Sequence, residues 1–298
     1  MPWERDVPLS RMTRYRIGGP ASRFAEPADR EELRTLLAEL NGSGHRVLGG
    51  GANVLVADRG VDEAVLRLGE GFAGLSLEED HLLAGAAARL PAVASLARRE
   101  GLRGYVFLEA VPGTVGGGLR MNAGTSETWL WERVEWAEAM TPEGEVVRVT
   151  PEEAGPRYRG VGVPGSWIFL RARLEAERGD REEIAARHHE FRRRKVEAQV
   201  YDVRSVGSIW KNPGPPHGAA WEVVDRVGMR GARRGGAQVS EKHANFIVNR
   251  CDASARDVLE LMQEIRRRAL EELDVALEPE IELWGFAPEE REAVGAAP

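Results

Sequence analysis

Val111-Pro-Gly-Thr-Val-Gly-Gly-Gly-Leu-Arg-Met-Asn-Ala-Gly124 sets five glycines, at 113, 116, 117, 118 and 124, among 14 residues. A flexible linker would be rich in serine and polar between its glycines. This stretch is apolar there, with Thr114 and Asn122 as its hydroxyl and amide. It reads as a loop packed against a large flat or phosphorylated ligand. Upstream, Gly49-Gly50-Gly51-Ala52-Asn53 follows a strand-like run. Its glycines would let backbone N–H groups approach a ligand and form an anion nest. A tight turn between two strands would use the same letters. Neither stretch carries the GxGxxG or GK[ST] patterns. Two such loops suit a dinucleotide, with its long pyrophosphate bridge, better than a mononucleotide.

Around these loops the composition narrows the class. The 298 residues suggest two domains or three small ones. The net charge of −7 argues against a dedicated nucleic-acid binder. The basic run Arg192–Lys195 is flanked by Glu190 and Glu197, and reads as a solvated helix face or an electrostatic approach for an anion. A single cysteine, Cys251, excludes an internal disulfide and a multi-cysteine metal site. No HExxH, paired Cys/His spacing or EF-hand loop appears, so no metal is expected. No apolar run approaches the roughly 18 residues of a membrane helix, and the N-terminus lacks a signal-peptide core. A cytoplasmic location is the expectation. Only three of the 41 basic residues are lysine: Lys195, Lys211 and Lys242. In so arginine-rich a chain, a surviving lysine marks a place where a compact ammonium suits better than a planar guanidinium.

The element pattern is α+β. Pro27-Ala28-Asp29 opens a helix striped by Leu33, Leu36, Leu37 and Leu40 and stopped at Asn41-Gly42. Pro91 opens a helix that Gly101 ends. Strands are expected over 45–51, 53–58, 64–68, 81–88, 145–149, 167–175 and 244–248. The stretch 167–175 alternates poorly, as a strand buried on both faces would. A helix to about residue 198 places Ile184, His188 and Phe191 on one face. Ser254 with Asp257 forms a capping box for a helix whose apolar face is Val258, Leu261, Met262, Ile265, Ala269 and Leu273.

Six stretches in order carry a resemblance: TRYRIGGPASRF (13–24), VLGGGANVLVADRG (47–60), VPGTVGGGLRMNAG (111–124), SVGSIWKNP (205–213), GAQVSEKHANFIVN (236–249) and LEPEIELWG (277–285). Together they resemble the UDP-N-acetylenolpyruvoylglucosamine reductase (MurB) family over nearly the whole chain. The resemblance implies an FAD-binding domain of the vanillyl-alcohol-oxidase (PCMH) type over 1–178, in two subdomains split near 65. It implies a smaller α+β substrate domain over 179–298. Only 49 positions separate Arg159 from Ser208, as in the family's shorter type. The implied reaction is reduction of UDP-N-acetylglucosamine enolpyruvate by NADPH through tightly bound FAD, in peptidoglycan synthesis. No protein, nucleic-acid or membrane partner is implied.

By the same resemblance, Leu48, Gly49, Gly50, Gly51, Ala52, Asn53 and Val54, with Pro112, Gly113, Thr114, Gly116, Gly117, Asn122, Ala123 and Gly124, would hold FAD. Tyr158, Lys211, Asn212, Lys242, His243 and Asn245 would bind substrate. Arg159 would stabilise the enolate, Ser208 would donate the proton, and Glu280 would act as an acid beside them. Residue chemistry alone would not select Ser208, since a hydroxyl is a poor acid at neutral pH. Glu278, across Pro279 from Glu280, should be solvated. The chain departs from the family after Tyr158-Arg159, where a serine usually follows one residue later and Val161 stands here. Two other readings use the same glycine loops: an FAD enzyme acting on another alcohol, and a non-enzymatic nucleotide- or nucleic-acid-binding protein.

Overall fold

The computed structural model describes residues 3–125, 128–198 and 204–297, with side chains of the helix Arg181–Ala198 described up to residue 194. Helices and mostly antiparallel strands form two compact units. The first comprises Met1–Glu4, Arg23–Gly50 and Glu63–Lys195, and the second Arg5–Ser22, Gly51–Asp62 and Val196–Pro298. These units interleave along the chain, whereas the resemblance implies one boundary at 178/179. Residues 5–22 and 51–62 join the C-terminal part because Tyr15, Ile17 and Leu55 bury in its core. The helix Arg181–Ala198 begins in the first unit because Ile184 and His188 bury there and Phe191 packs on its core. Among the described residues, no helix is long and apolar enough to cross a membrane.

The first unit is built on a five-stranded antiparallel sheet, ordered Leu75–Glu78, His81–Gly85, Ile168–Glu175, Val134–Met140, Val146–Val149. Ile168–Glu175 lies at the centre, which explains its poor alternation. Ile168 and Leu170 join a core with Leu33, Leu36, Leu37 and Leu40 of the helix Arg30–Leu40. Phe169, Ala172 and Leu174 join a second core with Leu90, Val93, Ala94 and Ala97 of the helix Leu90–Glu100. An irregularity between Phe169 and Arg171 exchanges the faces of odd and even residues, so one strand feeds both cores. Both helices end as their sequences dictate. Asp29 accepts from the N–H groups of Glu31 and Glu32, and Asn41 and Gly101 adopt the left-handed conformation at the C-caps. A parallel pairing, His45↔Ala64 to Val47↔Leu66, delivers the chain to the first glycine loop.

In the second unit, the helix Ala255–Leu273 carries the expected capping box and buries Val258, Leu261, Met262, Ile265 and Ala269. It packs against a small sheet of Arg233–Arg234, Ala237–Val239 and Ile247–Asn249. The last strand is shorter than the expected 244–248 run because residues 240–246 form its connecting turn, closed by Ser240 N–H to the Phe246 carbonyl at 2.8 Å. Tyr15 is completely buried and donates its hydroxyl to the Ile247 carbonyl at 2.9 Å, and Asn249 donates back to the Tyr15 carbonyl at 2.9 Å. A parallel pair joins Val54–Val56 to Glu282–Trp284.

His188 illustrates how burial sets the pH response of the first unit. Its Nδ1 lies 3.0 Å from Glu109 Oε1, while Arg98 lies 3.9 Å from the same carboxylate oxygen. Desolvation is the largest influence and holds the imidazole below its ordinary 6.5, although Glu109 pulls the other way. The folded state therefore favours the neutral ring, and the unfolded chain binds the extra proton first as the pH falls. The stability contributed by this burial is complete above pH 6.5 and is lost as the pH falls through the lower folded value. Urea unfolding midpoints should decline below that pH, and His188→Phe should show a smaller decline over the same window.

Candidate active site

In the first unit the two glycine loops meet backbone to backbone. Leu48 is buried and donates its N–H to the Leu66 carbonyl, which fixes the start of the first loop. A β-carbon at Gly49 would lie 2.7 Å from Thr114 Oγ1, and one at Gly50 only 2.8 Å from the Cα of Gly113. At Gly50 the close atoms are backbone, so no side chain fits there, whereas at Gly49 Thr114 would have to turn aside. Thr114 begins the short helix Val115–Arg120 and accepts weakly from the Gly117 N–H at 3.5 Å. Gly116 and Gly118 are small for packing reasons, against Ala86 and against Leu90 and Leu130. Gly117 is exposed with only Thr114 Oγ1 near its missing β-carbon, and Pro112 is exposed beside the loop.

Asn122 and Ala123 close the loop. Ala123 donates to the Gly118 carbonyl. Asn122 is buried, with its amide donating to the Arg157 carbonyl at 3.2 Å and its Oδ1 accepting from the Trp131 N–H at 3.3 Å. It thereby ties the glycine loop to the Tyr158-Arg159 turn. Reciprocal backbone bonds of 2.9 and 3.2 Å between Arg157 and Gly160 close that turn, so the segment is well formed without the family's serine. Arg159 sits at φ +56°, uncommon for a residue with a side chain. Its Nη1 donates to the Gly124 carbonyl at 3.4 Å. The guanidinium lies 5.4 Å from the ring centre of Trp129 and 5.3 Å from that of the exposed Tyr158.

In the second unit, the chain continues through Gly51, whose φ of +58° and approach to the Met12 carbonyl require glycine. Ala52 is half-buried and Val54 is buried at the start of its strand. Asn53 donates to the Glu280 carbonyl at 3.0 Å. Ser208 follows Gly207 (φ +88°) and is half-buried. The next residues are held on both sides. Ile209 N–H donates to the Asn245 carbonyl, and Trp210 exchanges two bonds of 2.9 Å with the Asn245 carboxamide. On the other side, Glu280 N–H donates to the Ile209 carbonyl and Lys211 N–H to the Glu278 carbonyl. This ladder seats Glu280 beside the residue that follows Ser208.

The remaining candidates border the same ladder. Lys211 Nζ lies 3.3 Å from the largely exposed Glu278 carboxylate. Asn212 Oδ1 accepts from Ala220 N–H at the start of the helix Ala220–Arg226. Lys242 and His243 ride the 240–246 turn, where Ser240 Oγ accepts from both their N–H groups. His243 Nδ1 accepts from Asn245 N–H at 3.3 Å, so the neutral ring carries its proton on Nε2. His243 packs edge-on to Phe246 and to Trp221. Sequence reasoning passed over Trp129 and Trp221. The carboxamides of Asn53, Asn122, Asn212 and Asn245, which the resemblance gives as ligand contacts, each hydrogen-bond backbone.

The backbone meeting of Gly50 with Gly113 would suit a cradle for the diphosphate of FAD. In Gly50→Ala a methyl must force the two backbones apart. Overpacking of this kind costs about 1–3 kcal/mol. FAD affinity should fall about 5- to 150-fold, measured by flavin titration. Gly165→Ala, where an added β-carbon meets nothing within 4 Å, should bind FAD as the parent does.

The chain is similar to known proteins along most of its length. Residues 21–150 match the FAD binding domain family, and residues 199–284 match the family described as UDP-N-acetylenolpyruvoylglucosamine reductase, C-terminal domain. The chain is 40% identical to the UDP-N-acetylenolpyruvoylglucosamine reductase of Rhodospirillum rubrum, over 94% of this chain and 89% of that one. The reductase of Paramagnetospirillum magneticum is 42% identical over 94% and 91% of the two chains. The crystal structure of the reductase from Thermus caldophilus superposes with a TM-score of 0.83 at 38% identity, covering 95% of this chain and 99% of that one. The chain therefore belongs to the UDP-N-acetylenolpyruvoylglucosamine reductase (MurB) family of FAD-dependent oxidoreductases.

Proposed function

We propose that this chain reduces UDP-N-acetylglucosamine enolpyruvate to UDP-N-acetylmuramate at the expense of NADPH, in peptidoglycan synthesis. The observation that carries the assignment of residues is the backbone ladder that seats Glu280 beside the Ser208–Lys211 segment. FAD, when bound, supplies the two-electron chemistry linking NADPH to the enolpyruvyl double bond. Reduction at the terminal alkene carbon leaves negative charge on its neighbour, spreading into the substrate carboxylate. Arg159 provides a permanent cation for that charge, and stabilising charge where it develops is usually the largest catalytic contribution. Ser208 gives its hydroxyl proton to the carbanionic carbon. Glu280, as the acid, donates a hydrogen bond to the enolate oxygen and keeps its own proton, since Ser208 supplies the one proton that the step consumes. Lys211, Lys242 and His243 bind the anionic and polar groups of the sugar nucleotide, with Tyr158 as a further contact. Asn245 and Asn212 serve this set by fixing the backbone on which Lys211 and the helix from Ala220 stand.

The two half-reactions separate the roles. In Ser208→Ala, reduction of the bound flavin by NADPH should proceed at the parent rate, because no substrate carbon is protonated in that step. Reoxidation by the enolpyruvyl sugar nucleotide should slow by at least about 100-fold, the lower range of general acid catalysis. Ser208→Cys should recover part of the loss. Stopped-flow absorbance reads both steps, and equal slowing of the two would remove Ser208 from proton transfer. Lys211→Arg and Lys242→Arg keep the charge and change its geometry, so steady-state kinetics should show a raised KM for the sugar nucleotide. Parent-like kinetics in both would make the lysines incidental.

A further inference from the structure

We infer that Trp129 is a positioning residue for Arg159, holding the guanidinium by its aromatic face; the inference rests on Arg159 acting in the proposed reaction. Arg159 projects from a turn at φ +56° whose backbone is closed between Arg157 and Gly160. The turn fixes where the long side chain begins, not where its charge ends. The charged end meets the Gly124 carbonyl, at 3.4 Å from Nη1, and the two rings of Trp129 and Tyr158.

Trp129 is itself held. It forms an isolated bridge with Gly124, the residue that accepts from Arg159. A β-carbon at Gly124 would lie 2.8 Å from the Trp129 Cα and 2.9 Å from its Cε3, so glycine at 124 lets the indole lie directly against the loop. The Trp129 and Tyr158 rings meet edge to face at 5.5 Å and 88°. Gly124, Trp129, Tyr158 and Arg159 thus form one small assembly within the first unit. An aromatic face suits this task. It orients a guanidinium through the ring quadrupole and carries no charge of its own.

The test compares rates of the two half-reactions in the flavin-loaded enzyme. Trp129→Leu keeps apolar bulk and removes the face. Flavin reduction by NADPH should stay within about twofold of the parent, while reoxidation by the enolpyruvyl sugar nucleotide should slow about 3- to 30-fold, the range of a cation–π contact. Trp129→Phe should recover most of that loss. In an Arg159→Ala background, Trp129→Leu should add no further slowing. Site-specific mono-, di- and trifluorotryptophan at 129 keeps the shape while draining the ring face, and should slow reoxidation progressively. That series decides the matter even where Trp129→Leu folds poorly. Slowing in Arg159→Ala with parent-like rates across the Trp129 variants and the fluorinated series would overturn the inference and leave the proposed function standing. No slowing in Arg159→Ala would overturn both the role of Arg159 and the inference.

Discussion

The carboxamide of Asn245 is the constraint on which the second unit's chemistry depends. It is almost fully buried, and its two ends bond to the N–H and carbonyl of Trp210. A buried amide left half-satisfied would cost on the order of 1–3 kcal/mol, so the pairing strongly favours one register of the Ser208–Lys211 segment. Once that register is set, Ile209 and Lys211 pair on their other side with Glu280 and Glu278. Ser208 and Glu280 are 72 positions apart in the chain. They become neighbours on a ladder because one asparagine side chain imitates a strand's hydrogen-bonding edge.

The first unit repeats the device. Asn122, also buried, bonds to the Arg157 carbonyl and the Trp131 N–H, and so holds the glycine loop and the Arg159 turn in one piece. Each unit therefore has a rigid backbone frame made by a buried asparagine and a polar group projecting from it. Exact placement is what such a frame gives a reaction, because small displacements of a charge from its target reduce the rate steeply. The strained φ of Arg159 belongs to the same logic, since closed backbone bonds around it sustain a conformation that an open loop would relax.

What could be read from the sequence was local. Asp29, Gly101 and the Ser254–Asp257 box mark their helix ends because caps act within one turn of chain. The glycine clusters revealed close backbone approach for the same reason. The strand Val134–Met140 is hard to read in the sequence because Glu135 and Glu138 interrupt its apolar run. In the fold the Glu138 carboxylate is satisfied by Arg30 and Arg171, which lie 108 and 33 positions away. The interleaving of the two units is hard to read for a similar reason. Tyr15 reads as one aromatic in a polar stretch until its hydroxyl finds the Ile247 carbonyl, 232 positions on. Asparagine is the hardest letter, because ligand contact and backbone clamp use the same atoms and only the distant partner separates them.

The arginine bias becomes intelligible once the partners are known. Arg171 and Arg230 make forked, two-point bonds to Glu138 and Asp225, a geometry lysine lacks. Lys211 instead makes a single contact with Glu278, whose side chain is 67% exposed. Exposed pairs of that kind contribute about 0–1 kcal/mol, so Lys211 can leave Glu278 for a stronger anion at little cost. A forked arginine pair would resist the same exchange. The lysine thus suits a position where a charge can exchange partners, as the proposed role in binding substrate would require, while the arginines suit positions where a charge must stay where it is.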